Sequence, residues 1–408
     1  MTGGKISTAV LCVIAITAVL SMVLKPNVAF QAAVDGLEVW WGVVFPALLP
    51  FFIGSQILLG LGVVHAMGVV LEPVMRPLFN VPGCGSFVLA MGLASGYPIG
   101  AVLTGNLRRE SMLNKYEGER LVSAANTADP LFMSGAVAVG MFGNPDVAAL
   151  IMIAHYITAL INGLIIRFHA PSAPRTIQPS SAKGPAYAPL YARAIRALFE
   201  ARERDGRPLG SILGDAVRKS IDTLLIIGGF IILLSVVISV LETTFLIDLL
   251  GAVFTGVLAL VNMSSQLASA ITRGAFEITL GCQAAGAAPA DLADRLIAAG
   301  AIIGWSGLSV HAQVAALLHD TDINVVPYMF SRLIHGVLAG VVTWLLLPLA
   351  PALGAALSAA VPALAAHPLQ LSAMTWTEIA TASTHRFMLV SALFLGLGAA
   401  VCSLRAAR

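Results

Sequence analysis

Between Ile6 and Leu24 the chain runs without a charged residue. Predominantly apolar runs of similar length recur at 37–61, 146–168, 221–241, 245–262, 329–349 and 386–403. A helix needs about 20 such residues to cross a hydrocarbon core. Composition removes the alternative of a soluble fold: charged residues are 11% of the 408, where a soluble domain carries about 25%. So few charges cannot cover a water-facing surface of that size, so lipid must solvate much of the chain. The expected fold is an all-α, polytopic integral membrane protein with about 8–12 membrane segments.

Net charge is +2, which offers no global field for nucleic acid. Cys12, Cys84, Cys282 and Cys402 form no CxxC and no Cys/His metal spacing. They read as small apolar fillers, and no cofactor is expected. The run Ile6–Leu24 follows Lys5 as a signal peptide's apolar core would. It exceeds the usual core of about 7–15 residues, and no clear A-x-A site follows Lys25-Pro26-Asn27. It reads as a retained first transmembrane helix.

Two further regions, 83–143 and 264–318, are apolar but broken repeatedly by Gly, Ser, Asn and Pro. Within a bilayer such backbone is tolerated only where protein or a wet cavity satisfies its polar groups, so broken or re-entrant helices are expected there. Residues 169–210 depart from the hydropathy and carry Arg175, Lys183, Arg193, Arg196, Arg202, Arg204 and Arg207. The Pro/Ser/Ala-rich start reads as a flexible linker, and Tyr187–Arg204 as an amphipathic interfacial helix. The basic excess places this linker on the cytoplasmic side.

The linker separates two halves that resemble each other. Glu119-Arg120-Leu121 aligns with Asp294-Arg295-Leu296 at an offset of 175. The polar break Asn126–Pro130 falls near Gly304–Ser309, and Ser95–Pro98 near Arg273–Phe276. The helix with His155 and Gly163 falls near the one with His335 and Gly340. Duplicated halves broken at corresponding places point to a transporter site. The expected organisation is an N-terminal helix and connection (1–36), a first repeat (37–168), the linker (169–210), a second repeat (211–349) and a C-terminal membrane region (350–408).

Three constellations carry chemistry. In Ser95-Gly96-Tyr97-Pro98, Pro98 breaks the helix and Gly96 permits unwound backbone. A helix starting near Pro98 would aim free N–H groups into the membrane centre, an anion site; the competing reading is a packing kink. Arg273 and Glu277 are charges inside an apolar run, costing at least about 2.5 kcal/mol each without a partner. Four residues apart, they read either as a self-neutralising pair or as a site, with Arg273 gripping a carboxylate and Glu277 a cation, proton or polar group. Asn126, Thr127 and Asp129, with Trp305, Ser306 and Ser309 in the second half, supply polar groups and an aromatic wall within apolar flanks. The alternative for them is an ordinary Asp-Pro turn and a Trp interface anchor.

His155 and His335 read as lone structural histidines. Glu72 and Arg76 read as a structural pair at a helix end, and Arg332 as snorkelling or paired with an acid. No GxSxG, HExxH, P-loop or strand-borne GxGxxG is present, so an enzyme is not expected.

Several of these segments resemble the YlbJ, or SpoVV, family of sporulation integral membrane proteins. The resemblance is carried by Phe45–Phe52, Leu71–Gly83, Ser95–Pro98, Glu119–Leu121 with Asn126–Phe132, and Phe276–Gly281, and runs from about residue 37 to 345. It implies a nucleoside-recognition, or gate, domain similar to parts of concentrative nucleoside transporters. It also implies a role in endospore formation, moving dipicolinic acid (pyridine-2,6-dicarboxylate) across the outer forespore membrane. A departure lies at Val102, where the family pattern has lysine; the resemblance then leans on Arg273 for its cationic contact.

The residues alone imply a transporter for a small polar or anionic solute, with the lipid bilayer as its other partner and a coupling ion or proton unread. Dipicolinate comes from the resemblance. A nucleoside or other solute is the alternative substrate, and a structural component of spore assembly the alternative role.

Overall fold

The computed structural model describes residues 19–176, 189–241 and 245–360, together with Cys12, Ile16 and Thr17. The expected spans 6–24 and 386–403 lie wholly or largely outside these residues, as do most of the Pro/Ser/Ala-rich linker and of the C-terminal region. Every described regular element is helical.

Helix α1 (Pro26–Val39) leads through a short π-turn into α2 (Phe45–Gly60) and α3 (Val63–Phe79). Two broken pairs follow. Helices α4 (Gly85–Ser95) and α5 (Ile99–Arg109) meet at a break over Gly96–Pro98. Helix α6 (Lys115–Ala125) and the π-helix Phe132–Met141 meet at a break beginning at Asn126. The unbroken α7 (Ala148–Ile166) closes the first half.

The second half repeats the order broken, broken, straight. After the linker helix α8 (Leu190–Asp205) it runs α9 (Leu209–Leu241) and α10 (Phe245–Leu260), then the pairs α11 (Ala268–Phe276)/α12 (Ile278–Ala287) and α13 (Leu292–Trp305)/α14 (Gly307–Leu317). The straight α15 (Val326–Leu346) and the short α16 (Ala350–Ala360) end the described chain.

Four described helical stretches are long and apolar enough to cross a membrane: Pro145–Ile166, Leu209–Leu241, Leu292–Leu317 and Val326–Ala355. A fifth arises if Leu48–Gly60 and Val63–Phe79, bent by 82°, form one span. These spans are counted among the described residues alone; within those residues, the regions 83–143 and 264–318 are built largely of half-length helices. Helices α4, α5, α6, α11, α12 and the π-helix have nine to eleven residues each. At 1.5 Å per residue each covers only about 14–17 Å, half a hydrocarbon core.

The straight helices show why the breaks sit inside. On α15 the buried face reads Tyr328, Ser331, Arg332, His335, Gly336, Ala339, Gly340 and Thr343. Its exposed face carries Phe330, Leu333, Val337, Val341 and Trp344. Polar groups therefore point inward and apolar ones outward, the reverse of a water-soluble amphipathic helix. Helix α7 repeats the pattern, with His155, Thr158 and Asn162 buried and Ile153, Ile157 and Ile165 exposed.

The matched Glu/Asp-Arg-Leu motifs do corresponding work. Arg120 Nε donates to the Asn80 carbonyl (3.0 Å) and Nη1 to the His169 carbonyl (2.8 Å), tying down the ends of α3 and α7. Arg295 donates to the Ala285 carbonyl (3.1 Å) and to Gly286 at the end of α12. Each supplies side-chain donors to carbonyls at or just beyond a helix C-terminus, where backbone partners run short. Glu72 and Arg76 form the helix-end pair expected of them (2.8 Å), and Arg76 also reaches the buried Glu117. Helix α8 is the expected amphipathic segment: Ala194 and Ala197 pack against Val69 of α3, while Tyr191, Ile195 and Phe199 face outward.

Candidate functional site at the junction of the two halves

Each half brings its two breaks together, with the glycine on the first break in one half and on the second in the other. At the α4/α5 break Gly96 has φ +76°, and a Cβ there would lie 2.5 Å from Asp129 Oδ2 of the α6/π-helix break. At the α13/α14 break Gly307 has φ +77°, and a Cβ would lie 3.0 Å from the Cα of Glu277 of the α11/α12 break. Both conformations favour glycine, and both close approaches require it. The unit in each half is one glycine-opened break laid against one carboxylate-bearing break.

The two carboxylates are engaged. Asp129 Oδ1 accepts the Phe132 N–H (2.8 Å), and Glu277 Oε2 accepts the Leu280 N–H (2.8 Å). Each caps the helix that follows it. Glu277 has extended backbone (φ −144°) between α11 and α12, so it is not on a continuous helical face with Arg273. Arg273 is half-buried in the last turn of α11, its carbonyl accepting the Glu277 N–H (2.8 Å). The α5 and α14 starts, at Pro98 and Ser306, carry no side-chain cap. Of the four helix N-termini at the breaks, two are thus occupied by the chain's own carboxylates and two are open.

The halves meet on Arg332 of α15. This guanidinium is fully buried. Its Nη2 donates to the Ser123 carbonyl (2.8 Å), and Nη1 donates to the Asn126 carbonyl (3.0 Å) and the Tyr97 hydroxyl (3.3 Å). Its Nε has no hydrogen-bond partner. Among the described residues no carboxylate forms an ion pair with it. Arg332 therefore neither snorkels nor pairs with an acid; it sits on the broken backbone of the other half.

Around it the polar groups form one network. Tyr97 donates to the Ile303 carbonyl (3.2 Å), and Asn126 Nδ2 donates to the Tyr328 hydroxyl (3.0 Å). Ser306 is fully buried at the start of α14, its hydroxyl donating to the Trp305 carbonyl. His311 packs between Trp305 (centroids 4.3 Å apart) and Tyr328 (5.3 Å), and Trp305 Nε1 donates to the Ala275 carbonyl (2.9 Å). Of the residues singled out in the sequence, the structure joins Tyr97, Asn126, Trp305 and Ser306 here. Gly96 and Pro98 shape the same break. Thr127 Oγ1 donates to the Gly92 carbonyl (3.4 Å), Ser95 Oγ is buried without a partner, and Ser309 is buried in the first turn of α14.

Sequence reasoning passed over Tyr328 and the central place of Arg332. The signal available was the spacing Tyr328, Ser331, Arg332, His335: a polar stripe at helical period on an otherwise apolar helix, which marks a buried face.

A family profile described as "Gate: Nucleoside recognition" matches residues 41–168, from the π-turn before α2 to just beyond α7. The sporulation integral membrane protein YlbJ of Bacillus subtilis (strain 168) is 44% identical over 343 residues, which cover 84% of this chain and 83% of that protein. This chain belongs to the YlbJ family. Its identification as a membrane protein of a sporulation family thus rests on the relative and on the apolar helices together. Within the YlbJ family assignment, the Gate match takes in Tyr97, Asn126 and Asp129, while Arg332 and Tyr328 lie outside it in the second half.

Proposed function

We propose that this chain is a transporter that moves dipicolinate across the outer forespore membrane during endospore formation, binding it where the two halves meet. One observation carries the reading: Arg332 is a fully buried guanidinium with hydrogen bonds to neutral oxygens only. A buried charge without a counter-charge is costly, and burying one at membrane depth is tolerated where a ligand supplies the opposite sign. The planar fork suits a carboxylate. The uncapped start of α5 adds a second positive end beside Tyr97, and Trp305 and Tyr328, which flank His311, bring aromatic surface to the same place. Dipicolinate has the matching features: a flat ring and two carboxylates.

In this reading Asp129 and Glu277 serve as caps that hold the breaks open, and Arg332 takes the role of first carboxylate contact. Arg273 is the candidate for a second contact in another conformation. Transport proceeds by movement of one half against the other around this site. No chemical step on the solute is invoked.

The test is uptake of radiolabelled dipicolinate into proteoliposomes holding the purified protein. Saturable uptake that unlabelled dipicolinate abolishes, and that nucleosides leave unchanged, supports the proposal. The Gate description favours one second reading, a nucleoside as solute. Nucleoside uptake that dipicolinate does not affect would replace the first reading with it.

A further inference from the structure

The anion site leaves two buried imidazoles without a task. His155 of α7 and His335 of α15 hold corresponding places in the two halves, and their rings stack with centroids 4.7 Å apart and planes 24° apart. Both are buried near the middle of the two straight helices. His155 Nε2 accepts the Ala128 N–H (3.2 Å), so the neutral ring carries its proton on Nδ1. That Nδ1 has no partner, and neither nitrogen of His335 has one. Leaving a buried polar atom unpaired costs about 1–3 kcal/mol, a penalty an apolar side chain would avoid.

The charged and titratable groups facing the pair come from each packed element. Arg332 lies three residues before His335 on the same face of α15, and its charge acts on both rings. Tyr156 of α7 lies beside His155, with ring centroids 5.8 Å apart. Asp129 follows Ala128 at the α6/π-helix break, Tyr97 of the α4/α5 break reaches the pair through Arg332, and His311 of α14 also feels Arg332. The dominant neighbour is a positive charge one helical turn away. An imidazolium there and an uncompensated guanidinium repel strongly in a low-dielectric interior. A carboxylate on Arg332 removes that repulsion.

We propose that the stacked His155–His335 pair is a proton-binding site linked to the anion site. A carboxylate docking on Arg332 draws one proton from solvent onto a ring-nitrogen lone pair of this pair, and its departure releases that proton. With a dicarboxylate the charges then balance, two negative on the solute against one guanidinium and one imidazolium. The pair thereby makes the solute a proton-coupled cargo. This inference deepens the anion reading above and rests on it for the identity of the solute.

Two measurements on the full chain in detergent test it. The first needs no solute: ring-nitrogen NMR of histidine-labelled protein at about pH 6. Arg332→Met, or Arg332→Gln if the first fails to fold, is expected to show an imidazolium signal absent from the unsubstituted chain. Adding His335→Gln should remove that signal. A pair that stays neutral after the charge is removed, or is already protonated with Arg332 intact, overturns the linkage. The second adds dipicolinate in weak buffer with a pH indicator. About one proton is expected per solute bound, falling to none in His335→Gln with binding retained. Binding without proton uptake overturns the linkage and leaves the anion site standing. Absence of binding refutes dipicolinate as the solute, and the NMR result then decides the linkage alone.

Discussion

Arg332 of α15 donates through Nη1 to the Asn126 carbonyl at 3.0 Å, so the guanidinium of the second half sits on the broken backbone of the first. The same arginine reaches Ser123 and Tyr97, and Asn126 reaches back to Tyr328. A displacement of one half against the other must break or exchange these bonds. The junction is therefore both the candidate binding place and the element whose rearrangement transport would require.

Gly96→Ala is expected to be more damaging than Gly143→Ala. Both glycines have positive φ, but a Cβ at 96 would lie 2.5 Å from Asp129 Oδ2, whereas nothing lies within 4 Å of one at 143. Backbone conformation already disfavours a Cβ at both positions, and more at Gly96, whose ψ of −167° lies in a region essentially confined to glycine and costing about 1–3 kcal/mol for other residues. Gly96→Ala adds displacement of Asp129 from its cap. Thermal unfolding in detergent should show a modest fall in Tm for Gly143→Ala and a clearly larger one for Gly96→Ala. Equal falls would mean that the Gly96–Asp129 approach is not tight.

Asp129 separates a capping carboxylate from an ion-binding one. Asparagine caps a helix about as well as aspartate, and alanine loses about 0.5–2 kcal/mol. Asp129→Asn is thus expected to keep most dipicolinate uptake, while Asp129→Ala loses stability by about 1 kcal/mol. Abolished uptake in a well-folded Asp129→Asn protein would instead assign its charge to the transport cycle.

At one face the halves are joined by two ion pairs. Arg108 holds Asp322 (2.7 Å) and Arg109 holds Asp320 (2.7 Å). The guanidinium beside each carboxyl keeps it below the usual carboxylate range. For a depressed carboxyl the stabilising contribution is present above the ordinary aspartate value of about 3.9 and is lost as pH falls through the depressed one. Both carboxylates are half-exposed, so the effect on global stability should be small. Hydrogen exchange in the turn 319–325, corrected for intrinsic rates, should quicken at acid pH and in Asp320→Asn/Asp322→Asn at neutral pH, with little change in the buried face of α15. An unchanged turn in the double variant would show that the pairs do not hold the halves there.

Much of this architecture was legible in the residues. Pro98 and Gly96 inside an apolar run cannot continue a helix, and Asn126–Pro130 cannot either; both are breaks. The Arg120 and Arg295 motifs share an offset because they fasten the same kind of helix end. Glu277 misled, since spacing places it on one helical face with Arg273, whereas its extended backbone makes it a cap; that is a choice of φ and ψ that spacing does not encode. Arg332, His155 and His335 were underread because each looks isolated along the chain. Their partners come from the other half, and only the packing of α7 on α15 brings them together. Half-length helices such as α4 and α12 are as apolar as whole spans, so hydropathy alone marks 83–143 and 264–318 as membrane-embedded while the breaks come from Gly, Pro and Asn.

The most direct measurement is calorimetric binding of dipicolinate to the purified protein and to Arg332→Met, Arg332→Lys and Arg273→Met. Loss of affinity by about 30-fold or more is expected in Arg332→Met, the scale of truncating one partner of a buried charged contact. A smaller loss is expected in Arg332→Lys, which keeps the charge without the fork. Affinity unchanged in Arg332→Met but lost in Arg273→Met would contradict the assignment of the buried junction as the anion site.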